Sequence, residues 1–297
     1  MKVYYYTNED HGYERDASGL RFDNIETVDR PEDADLLLVG TTIRSMRFKH
    51  GDDPRKLKYI RKWPDRHVLW DMCDHYDTFP GLESTMFIRT VVDADMLRVH
   101  PKTACQPWAA DDYSDIAADY DNIKHVVSFV GWDSGPMRHI PATACKRFFG
   151  EKAEIGLKHQ FFAYYPEDTQ KLFRQQFLDS LRSSHFILAP PSIYYPGRRP
   201  TGFVPYRFYE AMSAGRVPVH VGEKPILPFQ NHIDWDECYV HVPMDYANRT
   251  EQMLLAWWHT RNVKDAGKRN REIWKKWLNR EDWPTTHRLM VEEMMAR

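Results

Sequence analysis

The sequence predicts an α/β protein with two domains, each built on a parallel sheet. Short apolar runs end at glycine or polar residues and alternate with stretches of helical spacing, which is the pattern of repeated strand and helix units. A chain of 297 residues is long enough for two hydrophobic cores. The acidic stretch 111–121 lacks a long apolar run and separates two strand-rich halves, so we expect a linker there and domains at 1–118 and 119–280.

In the first half, apolar and aromatic runs predict strands, and the placement of charge predicts a helix. The segment 53–62 has aspartate near its start and basic residues near its end, as the helix dipole favours. We therefore expect a helix there. The expected strands lie at 2–6, 35–39, 67–70 and 86–92.

The second half shows the same alternation, and one of its helices is especially well defined. Pro205 suits the first turn of a helix, and Gly215 suits the left-handed cap that ends one. The expected strands lie at 125–131, 157–164, 185–190, 217–221 and 239–243. The expected helices lie at 140–149, 169–181, 205–215, 247–260, 264–277 and 285–297.

A basic loop joins the strand 185–190 to the helix 205–215. It runs from the carboxyl end of a strand to a helix N-terminus, where open α/β sheets bind ligands and free N–H groups attract phosphate. We expect this loop to bind a diphosphate. Its candidate contacts are Arg198, Arg199, Thr201 and Gly202.

Arg207 and Glu210 lie three residues apart on this helix and therefore share a face. One interpretation is a pair of binding residues beside the basic loop. The other is an ordinary exposed ion pair, which is common on helix surfaces, with the loop as a solvated turn.

A second glycine-containing turn follows the strand 125–131. A strand that ends at Gly131 and leads into such a turn is typical of a Rossmann-like nucleotide domain, although the full G-x-G-x-x-G pattern is missing. Arg138 then lies near a helix start, where the dipole disfavours a cation. This local conflict indicates a functional role for Arg138.

Polar side chains gather directly after the strand 67–70. Asp71, Asp74 and His75 lie where an α/β domain places its working side chains, and they are candidate general bases. We rank Asp74 first, then Asp71 and His75. The alternative is that the aspartates cap the next helix or turn the loop.

Asp93 and Asp95 form an Asp-x-Asp motif of the kind that can hold a divalent cation. Because Asp33 and Asp35 repeat the motif, we interpret both pairs as capping or surface carboxylates. No metal cofactor is expected.

The composition argues against several classes of protein. A net charge of −2 gives no general basis for binding nucleic acid. There is no signal-peptide core and no run of about 18 apolar residues, so we expect no membrane span and a cytoplasmic location. The four cysteines lack zinc-site spacing and are interpreted as reduced thiols. Aromatic residues make up 14% of the chain and favour a carbohydrate ligand.

The motifs between 207 and 235 resemble, in order and spacing, the C-terminal signature of the exostosin family of glycosyltransferases (family 47). The shared parts are Arg-Phe-x-Glu-Ala at 207–211, x-Pro-Val at 217–219, Leu-Pro-Phe at 227–229 and Ile-x-Trp at 233–235. The resemblance covers the second half of the chain and is looser in the first. The family often has serine where this chain has Pro205.

This resemblance implies a GT-B fold, in which two Rossmann-like domains with parallel sheets face each other across a cleft. It also implies that the final helix, 281–297, packs back on the first domain. Glu210 is expected to bind the ribose hydroxyls of a nucleotide sugar. Arg207 and Arg138 are expected near its diphosphate, with Gly131 at the end of the first donor-domain strand.

The implied activity is that of an inverting glycosyltransferase. A xylosyl, galactosyl or glucuronosyl group would move from a UDP-sugar, the co-substrate, to a glycan or glycoprotein hydroxyl and form a β-type linkage. One alternative is a GDP-sugar enzyme similar to fucosyltransferases, and another is a non-catalytic carbohydrate-binding relative. Because eukaryotic exostosin-like enzymes are membrane-anchored, the expected cytoplasmic location indicates a bacterial or viral member.

Overall fold

The computed structural model describes residues 1–6, 20, 22–39, 53–71, 78–120, 122–191 and 203–297. The chain forms two compact units. The first contains Met1–Pro107, Ile226–Phe229 and Arg280–Arg297, and the second contains Trp108–Pro225 and Gln230–Asn279.

The first unit is built on a six-stranded sheet in which all neighbouring strands are parallel. Apolar runs form its central strands because a parallel sheet buries both faces, and Leu36, Leu37 and Leu38 are almost fully buried. The strands are β1 (Lys2–Tyr6), β2 (Glu26–Thr27), β3 (Leu36–Val39), β4 (His67–Asp71), β5 (Met86–Arg89) and β6 (Thr103–Cys105), in the order β2-β1-β3-β4-β5-β6. Helices α1 (Ala94–Val99) and α8 (Trp283–Met295) belong to this unit.

The second unit is built on a five-stranded sheet that is also entirely parallel. Its strands are β7 (His125–Trp132), β8 (Ala153–Lys158), β9 (Ser184–Leu188), β10 (Val217–Val221) and β11 (Val240–Val242), in the order β11-β10-β9-β7-β8. Its helices are α2 (Ser114–Ala117), α3 (Pro136–Phe149), α4 (Glu167–Ser183), α5 (Tyr206–Ser213), α6 (Thr250–Thr260) and α7 (Val263–Ile273).

Alternate residues of β9 supply the core on the two faces of the second sheet. Phe186 and Leu188 pack on one face in a cluster that includes Trp257 of α6. Ile187 points to the other face and packs in a cluster with Phe177 of α4. This alternation follows from the two-residue period of a strand. It gives the sheet an apolar surface on each face, so that α6 packs on one face and α4 on the other.

Each sheet has one switch point, where the chain changes from adding strands on one side of its first strand to adding them on the other side. In the second unit the chain adds β8 on one side of β7 and then β9 on the other side, so β7 and β9 flank the switch point. In the first unit β1 and β3 flank the equivalent point. Open parallel sheets bind ligands outside the carboxyl ends of the strands at such a point. The fold therefore predicts a ligand site near the end of β7 and the start of α5.

The prediction of an α/β fold of the GT-B type is confirmed, since two Rossmann-like units are each built on a parallel sheet. The predicted ends of the α5 helix are also confirmed. Pro205 occupies the N-cap position, and Gly215 adopts φ +64°, the left-handed conformation expected after a helix.

The expected linker at 111–121 is wrong, and the chain enters the second unit at Trp108 rather than at 119. Tyr113 and Ile116 are buried in that unit's core, so this acidic stretch packs instead of spanning solvent.

Two predicted elements also differ. The expected helix 53–62 has only a 3-10 turn, Pro54–Lys56, because Leu57 adopts ψ 138° and leaves the helical region. The expected strand 157–164 is instead β8, which ends at Lys158, followed by the 3-10 turn Phe162–Tyr164. Within the described ranges, no helix combines the length and apolarity needed to cross a bilayer.

Candidate functional site

The side chain of Arg207 lies at the switch point of the second sheet. Its guanidinium carbon is 4.7 Å from the ring centroid of Phe129 in β7 and 5.4 Å from that of Phe177 in α4. A β-carbon added to Gly131 would lie 2.6 Å from Arg207 Nη2. Glycine at the end of β7 therefore makes the space that this guanidinium occupies.

Arg138 lies in the first turn of α3, directly after the same strand. Gly135 precedes the helix with φ +137°, a conformation that favours glycine. The Arg138 side chain is only 7% exposed, and its Nη1 donates a hydrogen bond to Trp132 O at 2.9 Å. The sequence therefore brings a second buried guanidinium to the end of β7.

Both guanidinium groups hold unused hydrogen-bond donors. Arg207 Nη1 and Arg138 Nε are sealed from solvent and have no hydrogen-bond partner within the described part of the chain. Neither group forms a salt bridge with a carboxylate of the residues that the structure describes. Buried donors without partners are costly, so these two groups make the end of β7 a candidate site for an anion.

The electrostatics agree with this interpretation. Burial lowers the pKa of Arg138 to about 9, and the positive charge of Arg207 adds to the effect while Asp133 opposes it. Burial also lowers the pKa of Arg207 to about 10, with Glu210 opposing the shift and Arg174 adding to it. Both groups remain charged at neutral pH, but at a free-energy cost that a bound anion would offset.

Glu210 is buried on α5, the helix that also carries Arg207, and its carboxylate accepts hydrogen bonds from two donors. Its side chain is 3% exposed, and Oε1 accepts hydrogen bonds from Arg174 Nη1 at 2.7 Å and from Tyr113 OH at 3.0 Å. Burial raises the pKa of Glu210, although the charge of Arg174 opposes the shift. The interpretation of Arg207 and Glu210 as an exposed surface pair is therefore wrong.

The segment before α2 completes this network. Tyr113 N donates to Ser213 Oγ at 3.1 Å, and Ser213 Oγ donates to Asp111 O at 2.6 Å. Arg271 of α7 makes a second connection. Its Nη1 donates to Ser213 O at 2.9 Å, and its Nη2 donates to Asp112 Oδ1 at 2.5 Å. The stretch expected to be a linker is thus bonded to α5.

Sequence reasoning missed Tyr113 and Arg174. Arg174 lies on the predicted amphipathic helix 169–181, and nothing in the local pattern separates it from the other cations there. Tyr113 lies 97 residues from Glu210 in sequence. The available signal was the presence of Tyr113 and Tyr120 inside an acidic stretch, which is unusual for a solvated linker.

Asp71, the second-ranked candidate base, lies in a buried ion pair at the end of β4. Its Oδ2 accepts from Arg89 Nη2 at 2.6 Å and from Arg89 Nε at 2.9 Å, and both side chains are almost fully buried. A carboxylate held in this way is poorly placed to accept a proton from a substrate hydroxyl. This geometry favours a structural role for Asp71.

Several predicted site residues lie outside the described residues. They are the candidate bases Asp74 and His75 and the loop residues Arg198, Arg199, Thr201 and Gly202.

The carboxylates of the Asp-x-Asp motif have structural roles. Asp93 caps α1 by accepting from Met96 N at 2.7 Å, and Asp95 is exposed and paired with Arg98. Their interpretation as capping and surface carboxylates is therefore confirmed. Within the described ranges, no group of three or more His, Cys, Asp or Glu side chains is arranged to hold a metal ion.

Comparison with known proteins gives one partial sequence match. No protein-family model matches the chain. A segment of 111 residues, 37% of this chain, is 30% identical to the exostosin-1 homolog of Caenorhabditis elegans. The match spans 27% of that protein, so the relative is much longer than the matched region.

Three solved structures show backbone similarity to this chain at low sequence identity. Anabaena HepE in complex with UDP and glucose has 12% identity and a TM-score of 0.43, over 88% of this chain and 78% of that one. WaaG, involved in lipopolysaccharide biosynthesis, has 10% identity and a TM-score of 0.40, over 92% and 78%. AviGT4, involved in avilamycin A biosynthesis, has 14% identity and a TM-score of 0.38, over 92% and 86%.

Proposed function

We propose that the chain is a glycosyltransferase whose second unit binds the diphosphate of a UDP-sugar at the β7 and β9 switch point. The observation that supports this most strongly is the pair of guanidinium groups of Arg207 and Arg138, whose buried Nη1 and Nε donors have no partner among the residues that the structure describes. A diphosphate presents several anionic oxygens and accepts charge-assisted hydrogen bonds from two arginines. The positive end of the α3 dipole, whose first residue is Pro136, adds to the attraction.

The ribose of the nucleotide is assigned to Glu210. The resemblance to the exostosin signature at 207–211 suggests this role, and the partial match to an exostosin-1 homolog supports the resemblance. Glu210 is buried beside Arg207, and the hydrogen bonds from the described residues fall on Oε1 alone. Its second carboxylate oxygen can accept from a vicinal diol.

The proposed reaction is a direct displacement with inversion, which forms a β-type linkage. The acceptor hydroxyl oxygen forms a bond to C1 of the sugar while a general base takes its proton. The bond from C1 to the diphosphate oxygen breaks, and UDP leaves with the bonding electrons. Asp74 is the first candidate for the base and His75 the next. Arg207 and Arg138 would stabilise the charge that develops on the leaving diphosphate.

Thermal-shift titrations test the nucleotide first. UDP should raise the melting temperature of the protein, because a ligand that binds only the folded state stabilises it. Stronger stabilisation by GDP would favour the GDP-sugar alternative. Glycan binding with no stabilisation by either nucleotide would favour a non-catalytic carbohydrate-binding protein. A hydrolysis screen across UDP-xylose, UDP-galactose and UDP-glucuronate should then identify the donor sugar.

Gly131→Ala should weaken UDP binding about tenfold while leaving the stability of the fold nearly unchanged. The three atoms nearest to the new methyl group all belong to the Arg207 guanidinium, with Nη2 at 2.6 Å, so the methyl group would displace the guanidinium from its place beside β7. Calorimetric titration with UDP and thermal unfolding together measure the two effects.

Gly156→Ala is the matched control for this substitution. Gly156 lies in the neighbouring strand β8, and an added β-carbon would meet Val130 at an ordinary 3.5 Å. Its UDP affinity should equal that of the wild type. An unchanged affinity in Gly131→Ala would refute the assigned position of Arg207 in the site.

A further inference from the structure

We propose that Arg174 is a positioning residue for the ribose: together with Tyr113 it holds one oxygen of Glu210 and orients the other toward the ribose hydroxyls. The inference rests on the proposed function, because Glu210 contacts ribose only if the site binds a nucleotide. Arg174 and Tyr113 both lie outside the motifs that resemble the exostosin signature.

The Arg174 guanidinium is held in a fixed position. It donates from Nη1 to Glu210 Oε1 at 2.7 Å and from Nη2 to Asp111 Oδ2 at 3.3 Å, and Nη2 also donates to Tyr113 OH. Its central carbon lies 5.3 Å from the ring centroid of Phe177 and 5.7 Å from that of Tyr113. Contacts in several directions leave this side chain little freedom.

The Tyr113 phenol is held close to the Glu210 carboxylate. Its OH donates to Glu210 Oε1, and its backbone N–H donates to Ser213 Oγ at 3.1 Å. Ser213 is the last residue of α5. The tyrosine is therefore anchored to the helix that carries Glu210, so the donor and the carboxylate move together.

Both donors converge on the same carboxylate oxygen of Glu210. Within the described part of the chain, Arg174 and Tyr113 bond only Oε1 of Glu210. A carboxylate fixed through one oxygen has a defined direction for the other. Bound ribose hydroxyls would then meet an acceptor that needs no reorganisation.

Arg174 also helps to keep Glu210 ionised. Burial raises the pKa of Glu210, and the charge and hydrogen bond of Arg174 are the main opposing influences. The charged and titratable groups that face Glu210 are Arg174 from α4, Tyr206 and Arg207 from α5, and Asp111 and Tyr113 from the segment before α2.

Calorimetric titrations with UDP, 2′-deoxy-UDP and inorganic pyrophosphate test the proposal. The wild type should bind UDP about tenfold more tightly than 2′-deoxy-UDP, the preference expected for one charge-assisted hydrogen bond. In Arg174→Met the preference should fall below about twofold, while pyrophosphate affinity stays unchanged. Arg174→Lys should recover part of the preference. Tyr113→Phe should reduce it and serves as a second variant should Arg174→Met not fold.

Arg182→Met is the matched control. Arg182 lies on the same helix with a similarly exposed side chain, and its ion pairs are with Asp115 and Asp179 rather than with Glu210. Its preference for UDP should equal that of the wild type.

Lowering the pH gives a second readout. Protonation removes the negative charge of Glu210, so the preference for UDP over 2′-deoxy-UDP should disappear as the pH falls through the raised pKa. In Arg174→Lys this loss should begin at a higher pH than in the wild type, because a single ammonium opposes the effect of burial less well. A purely structural Arg174 would not move this profile.

The outcomes separate the inference from the proposed function. A wild-type preference for UDP that is fully retained in Arg174→Met and in Tyr113→Phe would overturn the positioning role and leave the diphosphate site standing. Failure of the wild type to bind either UDP or pyrophosphate would overturn both.

Discussion

Arg207→Met should weaken UDP binding by about 10- to 100-fold, since hydrogen bonds to charged groups are each worth about 1.5–3 kcal/mol. Turnover of the donor sugar should fall by a further factor, because charge accumulates on the diphosphate as it leaves. Calorimetric titration with UDP and a donor-hydrolysis assay measure the two effects.

The same substitution should leave the folded state equally stable or more stable. Burial lowers the pKa of Arg207 to about 10, so keeping this group charged costs the folded protein free energy. That cost is complete at every pH below about 10 and is relieved only as the pH rises above about 10. Methionine removes the cost at neutral pH and keeps apolar contact with Phe129 and Phe177. This trade of stability for binding is typical of functional residues.

Arg261→Met is the control for this prediction. Arg261 also lies in the second unit against an aromatic ring, that of Trp257, but it is paired with Glu237. Its variant should bind UDP as the wild type does. A lower melting temperature in Arg207→Met with unchanged UDP affinity would show that Arg207 serves only the fold.

Asp71→Asn should lower the free energy of unfolding by about 3–5 kcal/mol, the cost of breaking a buried ion pair by removing the charge of one member. The guanidinium of Arg89 would stay buried at 1% exposure after the loss of the Asp71 charge. Urea unfolding measures the loss. The size of this effect follows from burial, because the same pair on the surface would contribute little.

Asp95→Asn provides the surface comparison. Asp95 and Arg98 are paired at 3.1 Å with both side chains largely exposed, so the stability should change by less than about 0.5 kcal/mol. A loss below about 1 kcal/mol in Asp71→Asn would contradict the structural role given to the buried pair.

The parts of the fold that follow from local pattern were predictable. Continuous apolar runs such as Leu36 to Leu38 form buried parallel strands, and the ends of α5 follow from Pro205 and Gly215. The prediction of a long helix after Asp53 was wrong because the three-residue spacing of Leu57 and Ile60 also suits a buried turn. Spacing alone cannot distinguish the two.

In the candidate site, too, residues with local signals could be predicted, whereas residues whose roles depend on distant contacts could not. Arg138, Arg207 and Glu210 were found from local signals and from the exostosin-like motif. Arg174 and Tyr113 were missed because their roles depend on contacts with Glu210 across 36 and 97 residues of sequence. An acidic composition around Tyr113 predicted a linker, whereas its buried ring and its bond to α5 place it in the second unit.

A crystal soaked with UDP tests the central claim most directly. The account predicts phosphate oxygens within hydrogen-bond distance of Arg207 and Arg138, at the carboxyl end of β7, and the ribose beside Glu210. Electron density for the nucleotide at any other place on the chain would contradict it.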